Sequence, residues 1–152
     1  MAVSARDDSE ILKEAKGRLE ADYVPVEDEP YMNERQQEYF RQLLREWKKS
    51  IHSAAGVTLQ SLQDGPLREP DLNDRASSET DWSIELRTRD RQRKLIAKID
   101  AALRRIDQGE YGYCEVTGDP IGLKRLIARP VATMTVEAQE AHERREKISR
   151  DD

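Results

Sequence analysis

The chain has little of what builds a large globule. In 152 residues there are one cysteine, one phenylalanine and two tryptophans, aromatic residues make up 5% and hydrophobic residues 36%. The lone Cys114 excludes an internal disulfide framework and fits a reducing compartment. No apolar run approaches a membrane span, and the N-terminus lacks the hydrophobic centre of a signal peptide. These absences predict a soluble, intracellular and cytoplasmic protein with a small core. Positive charge is not in excess either. A net charge of −5 argues against non-specific nucleic-acid binding as the main activity.

What the sequence has is charge, 38% Asp, Glu, Lys and Arg, laid along two amphipathic stretches. In the first, Phe40, Leu44, Trp47, Ile51, Ala55, Leu59 and Leu62 recur at helical steps. In the second, Trp82, Leu86, Ile96, Ile99, Leu103 and Ile106 do the same, with a weaker apolar stripe from Arg87 to Arg93. Between them Gly65, Pro66 and Pro70 break any helix. Two stripes joined by a short breaker predict an antiparallel helical hairpin, whose arm of roughly thirty residues would run about 45 Å. A coiled coil tolerates this composition because its seam needs few apolar positions.

The rest is shorter. A helix is predicted over Ser9 to Leu19, with Ser9 as cap and Ile11, Leu12, Ala15 and Leu19 on one face. Asn33 is a good N-cap for the first long helix, and Gln36 stands where a capping box needs it. The second long helix is predicted from near Asp71 to Gln108, with Gly109 as its stop. Residues 111–121 read as short strands around a turn at Gly118 and Asp119. Ile121, Leu123, Leu126 and Ile127 offer a modest core, and a last helix is predicted from about Thr135 to Lys147. The reading is mainly α: segment 1–32 packing on a head, hairpin 33–108 with its tip at about 64–76, a small head over 109–134, and a C-terminal helix over 135–152. Acidic clusters at Asp7-Asp8 and Glu27-Asp28-Glu29 contrast with a basic strip from Arg87 to Arg105. That contrast suggests an acidic partner or an anionic ligand, although any one charge also suits a solvated helix face.

Two stretches carry a family resemblance. One is Asp71, Asp74 and Ala76 in the pattern Asp-x-x-Asp-x-Ala, followed by Ile84 to Arg91. The other is Tyr111-Gly112-Tyr113-Cys114-Glu115-Val116-Thr117-Gly118, with Ile127 to Pro130 beyond it. With Tyr31 to Glu34 they resemble the DksA family of bacterial transcription regulators over nearly the whole chain. The resemblance implies a non-enzymatic, monomeric regulator that inserts its arm into the secondary channel of RNA polymerase. It implies destabilised initiation complexes, action with ppGpp on ribosomal RNA and biosynthetic promoters, and no sequence-specific DNA binding. Asp71, Asp74 and Ala76 then form the tip, Arg87 and Arg91 bind polymerase, and Leu95, Lys98 and Arg129 hold ppGpp. From the residues alone, the two aspartates suit a helix N-terminus equally well.

The family's usual head is a four-cysteine zinc finger. Its ligand positions here are Cys114, Thr117, Thr135 and Ala138, and zinc wants about four N, S or carboxylate donors. The expectation is therefore a degenerate, zinc-finger-like head that lacks the finger's ligands, with zinc not expected and Cys114 as a small buried side chain. A transcript-cleavage factor of the Gre type shares the probe shape and acidic tip, and an inert coiled-coil scaffold shares the helices. The tip and head motifs favour DksA.

Overall fold

The computed structural model describes residues 8–19, 23–64 and 72–151, and through 57–64, 72–78 and 151 it describes the backbone alone. The fold is mainly α. Five helices follow one another: α1 (Asp8–Arg18), α2 (Glu34–Asp64), α3 (Leu72–Gln108), α4 (Leu123–Ala128) and α5 (Val136–Asp151). The expected strands at 111–121 do not form. Among the described residues the only β pairing is an isolated antiparallel bridge between Tyr113 and Pro120. With Gly112 and Gly118 at positive φ, the chain turns too often there for a ladder to grow. Among the described residues no helix is long and apolar enough to cross a membrane.

The chain divides into two compact units, and the division cuts both long helices. The first comprises Met1–Glu20 and Arg45–Lys98. In it α1 buries Ile11, Leu12 and Ala15, and α2 buries Trp47 and Ile51. The α3 side corrects the expected stripe. Leu86 is 39% exposed, while Thr88 and Gln92 are buried at 4% and 1%. Thr88 satisfies its hydroxyl locally by donating to the Ile84 carbonyl at 3.0 Å. Among the described residues the Gln92 Oε1 finds no partner, nor do the buried Asp8 Oδ1 and Trp47 Nε1. An unmatched buried polar group costs about 1–3 kcal/mol, so this unit is packed at less than its best.

The second unit comprises Ala21–Leu44 and Ile99–Asp152. Phe40, Leu43, Leu44, Ile99 and Leu126 are fully buried, and Tyr111 lies 5.5 Å from Phe40 between ring centroids. The start of α2 meets the end of α3 through Arg41 and Asp107, 3.4 Å apart, which sets the two helices antiparallel. Asn33 caps α2 as expected: its Oδ1 accepts the Gln36 N–H at 2.8 Å. The Gln36 Oε1 then accepts the N–H of Met32, also at 2.8 Å, and holds Met32 at a φ of 56°. That left-handed conformation is strained for a side chain of this size, so the hydrogen bond has a strain to offset.

Gly109 ends α3 with φ 74°, its N–H reaching the Ile106 carbonyl at 3.1 Å while Glu110 reaches that of Arg105 at 2.9 Å. Tyr31 ties the returning chain to the head, donating to the Gly112 carbonyl at 2.7 Å and accepting from the Gly122 N–H at 3.1 Å. Gly112 must be glycine. A Cβ there would stand 2.8 Å from Met32 Cγ at a φ of +92°. Burial pushes the Tyr111 phenol well up, and its hydroxyl donates to the Pro130 carbonyl at 2.7 Å. The short α4 has no counterpart in the sequence reading, which saw Leu123 and Leu126 only as core. A six-residue helix gives too little periodicity to detect.

Candidate functional site

The expected tip is only partly within view. Asp74 and Ala76 fall in the first turns of α3, whereas Asp71 and the side chains of Asp74 and Ala76 lie outside the described residues. The expected breakers Gly65, Pro66 and Pro70 also lie outside the described residues, and α3 begins at Leu72, one residue beyond the expected start near Asp71.

Further along α3 the basic strip is real and exposed. Arg87 and Arg91 stand one turn apart, both open to solvent. Asp90 is not their partner. Its carboxylate takes Arg93 at 2.5 Å and Lys94 at 3.1 Å, and hydrogen bonds from Lys94 and then Arg93 hold it below the usual carboxylate range. Arg91 reaches instead to Asp8 of α1, Nε to Oδ2 at 3.2 Å. The sequence showed Asp8 as one of an acidic pair, but nothing local joins it to a residue 83 positions on. Leu95 is half-buried and Lys98 exposed in the first unit, and Arg129 is exposed at the C-cap of α4 in the second.

In the head, the four positions expected to be a ruined ligand set do converge. The Cys114 carbonyl accepts the Gly118 N–H at 2.9 Å and its N–H donates to the Asp119 carbonyl at 2.8 Å, closing a tight knuckle. Glu115 N–H donates to the Thr133 carbonyl at 2.9 Å and brings the segment before α5 alongside. The Thr135 hydroxyl accepts the Ala138 N–H at 3.2 Å and so caps α5. Cys114 itself is buried, with 3% exposed. Burial pushes its thiol up, but hydrogen bonds from the Thr117 hydroxyl and from the backbone of Thr135, Thr117 and Val116 outweigh that and bring it down to about 6. The side chain is therefore more than the small apolar filler the sequence suggested. That signal lies in backbone N–H direction, which no residue pattern reveals.

The geometry has counterparts in known proteins. The model of the DnaK suppressor protein DksA, N-terminal domain, matches residues 36–106, and that of the prokaryotic dksA/traR C4-type zinc finger matches residues 109–144. The RNA polymerase-binding transcription factor DksA of Caulobacter vibrioides is 64% identical over 132 residues, covering 87% of this chain and 93% of that protein. The protein of the same name from Escherichia coli K12 is 41% identical over 125 residues, covering 82% and 83%. The solved structure of transcription factor DksA2 from Pseudomonas aeruginosa gives a TM-score of 0.71 at 38% identity, covering 93% of this chain and 99% of that one.

The second match corrects two expectations. The head over 109–144 is a recognisable member of the C4-type zinc-finger family, not a module that has lost the finger. Zinc comes with that family, against the expectation that none would be associated. The donors present are another matter: among the described residues no three His, Cys, Asp or Glu side chains group so as to hold a metal ion. One thiolate, two hydroxyls and a methyl leave a tetrahedral zinc site incomplete, and His142 turns instead to Glu146 at 3.1 Å. Two family models end to end, relatives at 64% and 41% identity, and a solved fold spanning nearly the same length agree with the helical hairpin and knuckled head: this chain belongs to the DksA family.

Proposed function

We propose that this chain is a cytoplasmic transcription factor that binds RNA polymerase through its secondary channel and catalyses nothing itself. The observation that carries the reading is the 64% identity, over 93% of its length, to a relative named as an RNA polymerase-binding transcription factor. The exposed Arg87 and Arg91 support it, because guanidinium groups one turn apart suit carboxylates on a protein rim. Asp71, together with Asp74 and Ala76 of the first turns of α3, acts on the channel, where low dielectric magnifies the effect of a carboxylate. The protein works as a monomer and without sequence-specific DNA contacts. It destabilises initiation complexes and represses ribosomal RNA promoters, and it acts on biosynthetic promoters too. Leu95, Lys98 and Arg129 contribute to a ppGpp site at the polymerase interface, their cations suited to phosphate.

Replacing Asp74 with Asn tests this. The change keeps size and capping capacity, so α3 stays folded and affinity for polymerase falls little. Run-off transcription from a ribosomal promoter, with and without ppGpp, should show inhibition falling by about tenfold or more, the equivalent of roughly 1.4 kcal/mol. Inhibition equal to the parent at equal occupancy reduces Asp74 to a partner of the helix dipole. A cleavage assay on a backtracked complex should show no stimulated transcript cleavage.

A further inference from the structure

The first unit holds its N-terminal helix by two ends and a short apolar stripe. At one end Asp8 Oδ2 lies 3.2 Å from Arg91 Nε. At the other, Arg18 Nε lies 3.5 Å from Glu46 Oε2, and Arg18 also donates to the Ser50 hydroxyl. Between them α1 buries only Ile11, Leu12 and Ala15. A helix of 11 residues is too short to persist alone in water, so α1 is ordered only while docked. The unit it docks into is poorly matched. Thr88 and Gln92 occupy buried positions of α3, and Asp8 Oδ1, Trp47 Nε1 and Gln92 Oε1 are buried without partners among the described residues. The cation of each ion pair stands open to water while its carboxylate is half-buried, with Arg91 54% and Arg18 47% exposed against 29% for Asp8 and 28% for Glu46, so salt still weakens them. Few apolar contacts and solvent-exposed ties are the marks of a segment that opens before its surroundings.

We propose that α1 is a displaceable cover of the first unit. Docked, it keeps Arg91 in an intramolecular pair with Asp8; released, it frees Arg91 for a carboxylate on a partner. The partner half of the inference rests on the polymerase reading. The exchange swaps one carboxylate for another on the same guanidinium, so the partner replaces what α1 gives up. The α1 equilibrium then sets how much of the protein is competent to bind.

Hydrogen exchange on the full chain reads the cover directly. The α1 amides should exchange ahead of those of α3 between residues 85 and 98, and faster as salt is added. Asp8→Asn should speed them further while α3 stays protected, and Ile11→Asp should abolish α1 protection. Polymerase binding reads the consequence. If about one molecule in ten stands open, full release tightens the apparent affinity about tenfold, and Asp8→Asn gives part of that gain. The gain should vanish when Arg91→Ala is added. Exchange of α1 only together with α3, in a single unfolding event, overturns the inference. So does an exposed α1 with affinity no better than the parent's. Should Ile11→Asp unfold the unit, Asp8→Asn, which removes one half-buried charge with little change of size, decides alone. If the parent itself fails to bind polymerase, the functional reading falls with the partner half, and the exchange experiment still decides whether α1 is displaceable.

Discussion

The two compact units are built on stretches of the same two long helices, yet they bury different chemistry. The second places Phe40, Leu43, Leu44, Ile99, Ile106 and Tyr111 inside, and its buried hydroxyl of Tyr111 and amide of Gln36 are matched by hydrogen bonds. The first buries Trp47 and Ile51 but also Thr88 and Gln92, and the three buried side-chain atoms without partners among the described residues all belong to it. A helix of one sequence can thus be firmly anchored at one end and loosely packed further along. The apolar content of its buried stripe decides which. Rigid anchorage suits a head that presents a helix, and a looser segment suits one that must yield to a partner.

The comparison is broken most severely from the second unit. Phe40→Ala removes a fully buried ring that meets Tyr39 and Tyr111, and should cost about 3–5 kcal/mol. Urea unfolding followed by far-ultraviolet circular dichroism measures it, and a loss under a third of that would mean the core repacks. Next comes Tyr111→Phe, which keeps the ring and strands the buried Pro130 carbonyl. A loss of about 1–3 kcal/mol is expected in the same measurement.

The first unit should respond in the opposite direction. Gln92→Leu removes a buried oxygen with no partner at a position that is 1% exposed, and should stabilise the protein by about 1 kcal/mol. A destabilisation of similar size would show that Gln92 has a partner of its own, and would erase the contrast between the units.

The smallest effect is electrostatic. Lys94 and Arg93 hold Asp90 below the ordinary carboxylate range, so its contribution is present above the unfolded value. It disappears as pH falls through the lower folded value. Stability profiled across the acid range should lose a slight slope in Asp90→Asn. An unchanged profile would mean that solvent screens the pair completely.

Much of this was legible in the residues. The Gln36 side chain reaches back to Met32 rather than to Asn33 as a capping box would, but Asn33 as cap and the stop at Gly109 are local rules of backbone hydrogen bonding, so they appear as written. So do Thr135 at the start of α5 and the apolar steps of α2 from Phe40 to Ile51. The strip of Arg87 and Arg91 was legible as composition, and the family from its tip and head motifs.

What the sequence by itself determined, then, is where helices begin, end and turn oily, because capping, breaking and period act within a few residues. Tertiary structure alone decided that Thr88 and Gln92 are inside while Leu86 is outside. That choice depends on what stands opposite, not on a side chain's own preference. It alone brought Asp8 to Arg91, across 83 positions of chain. It also aimed the amides of Val116, Thr117 and Thr135 at one sulfur, which holds the Cys114 thiol below its usual range. Contacts between distant segments are set by the packing of whole elements, and no pattern within one element encodes its partner.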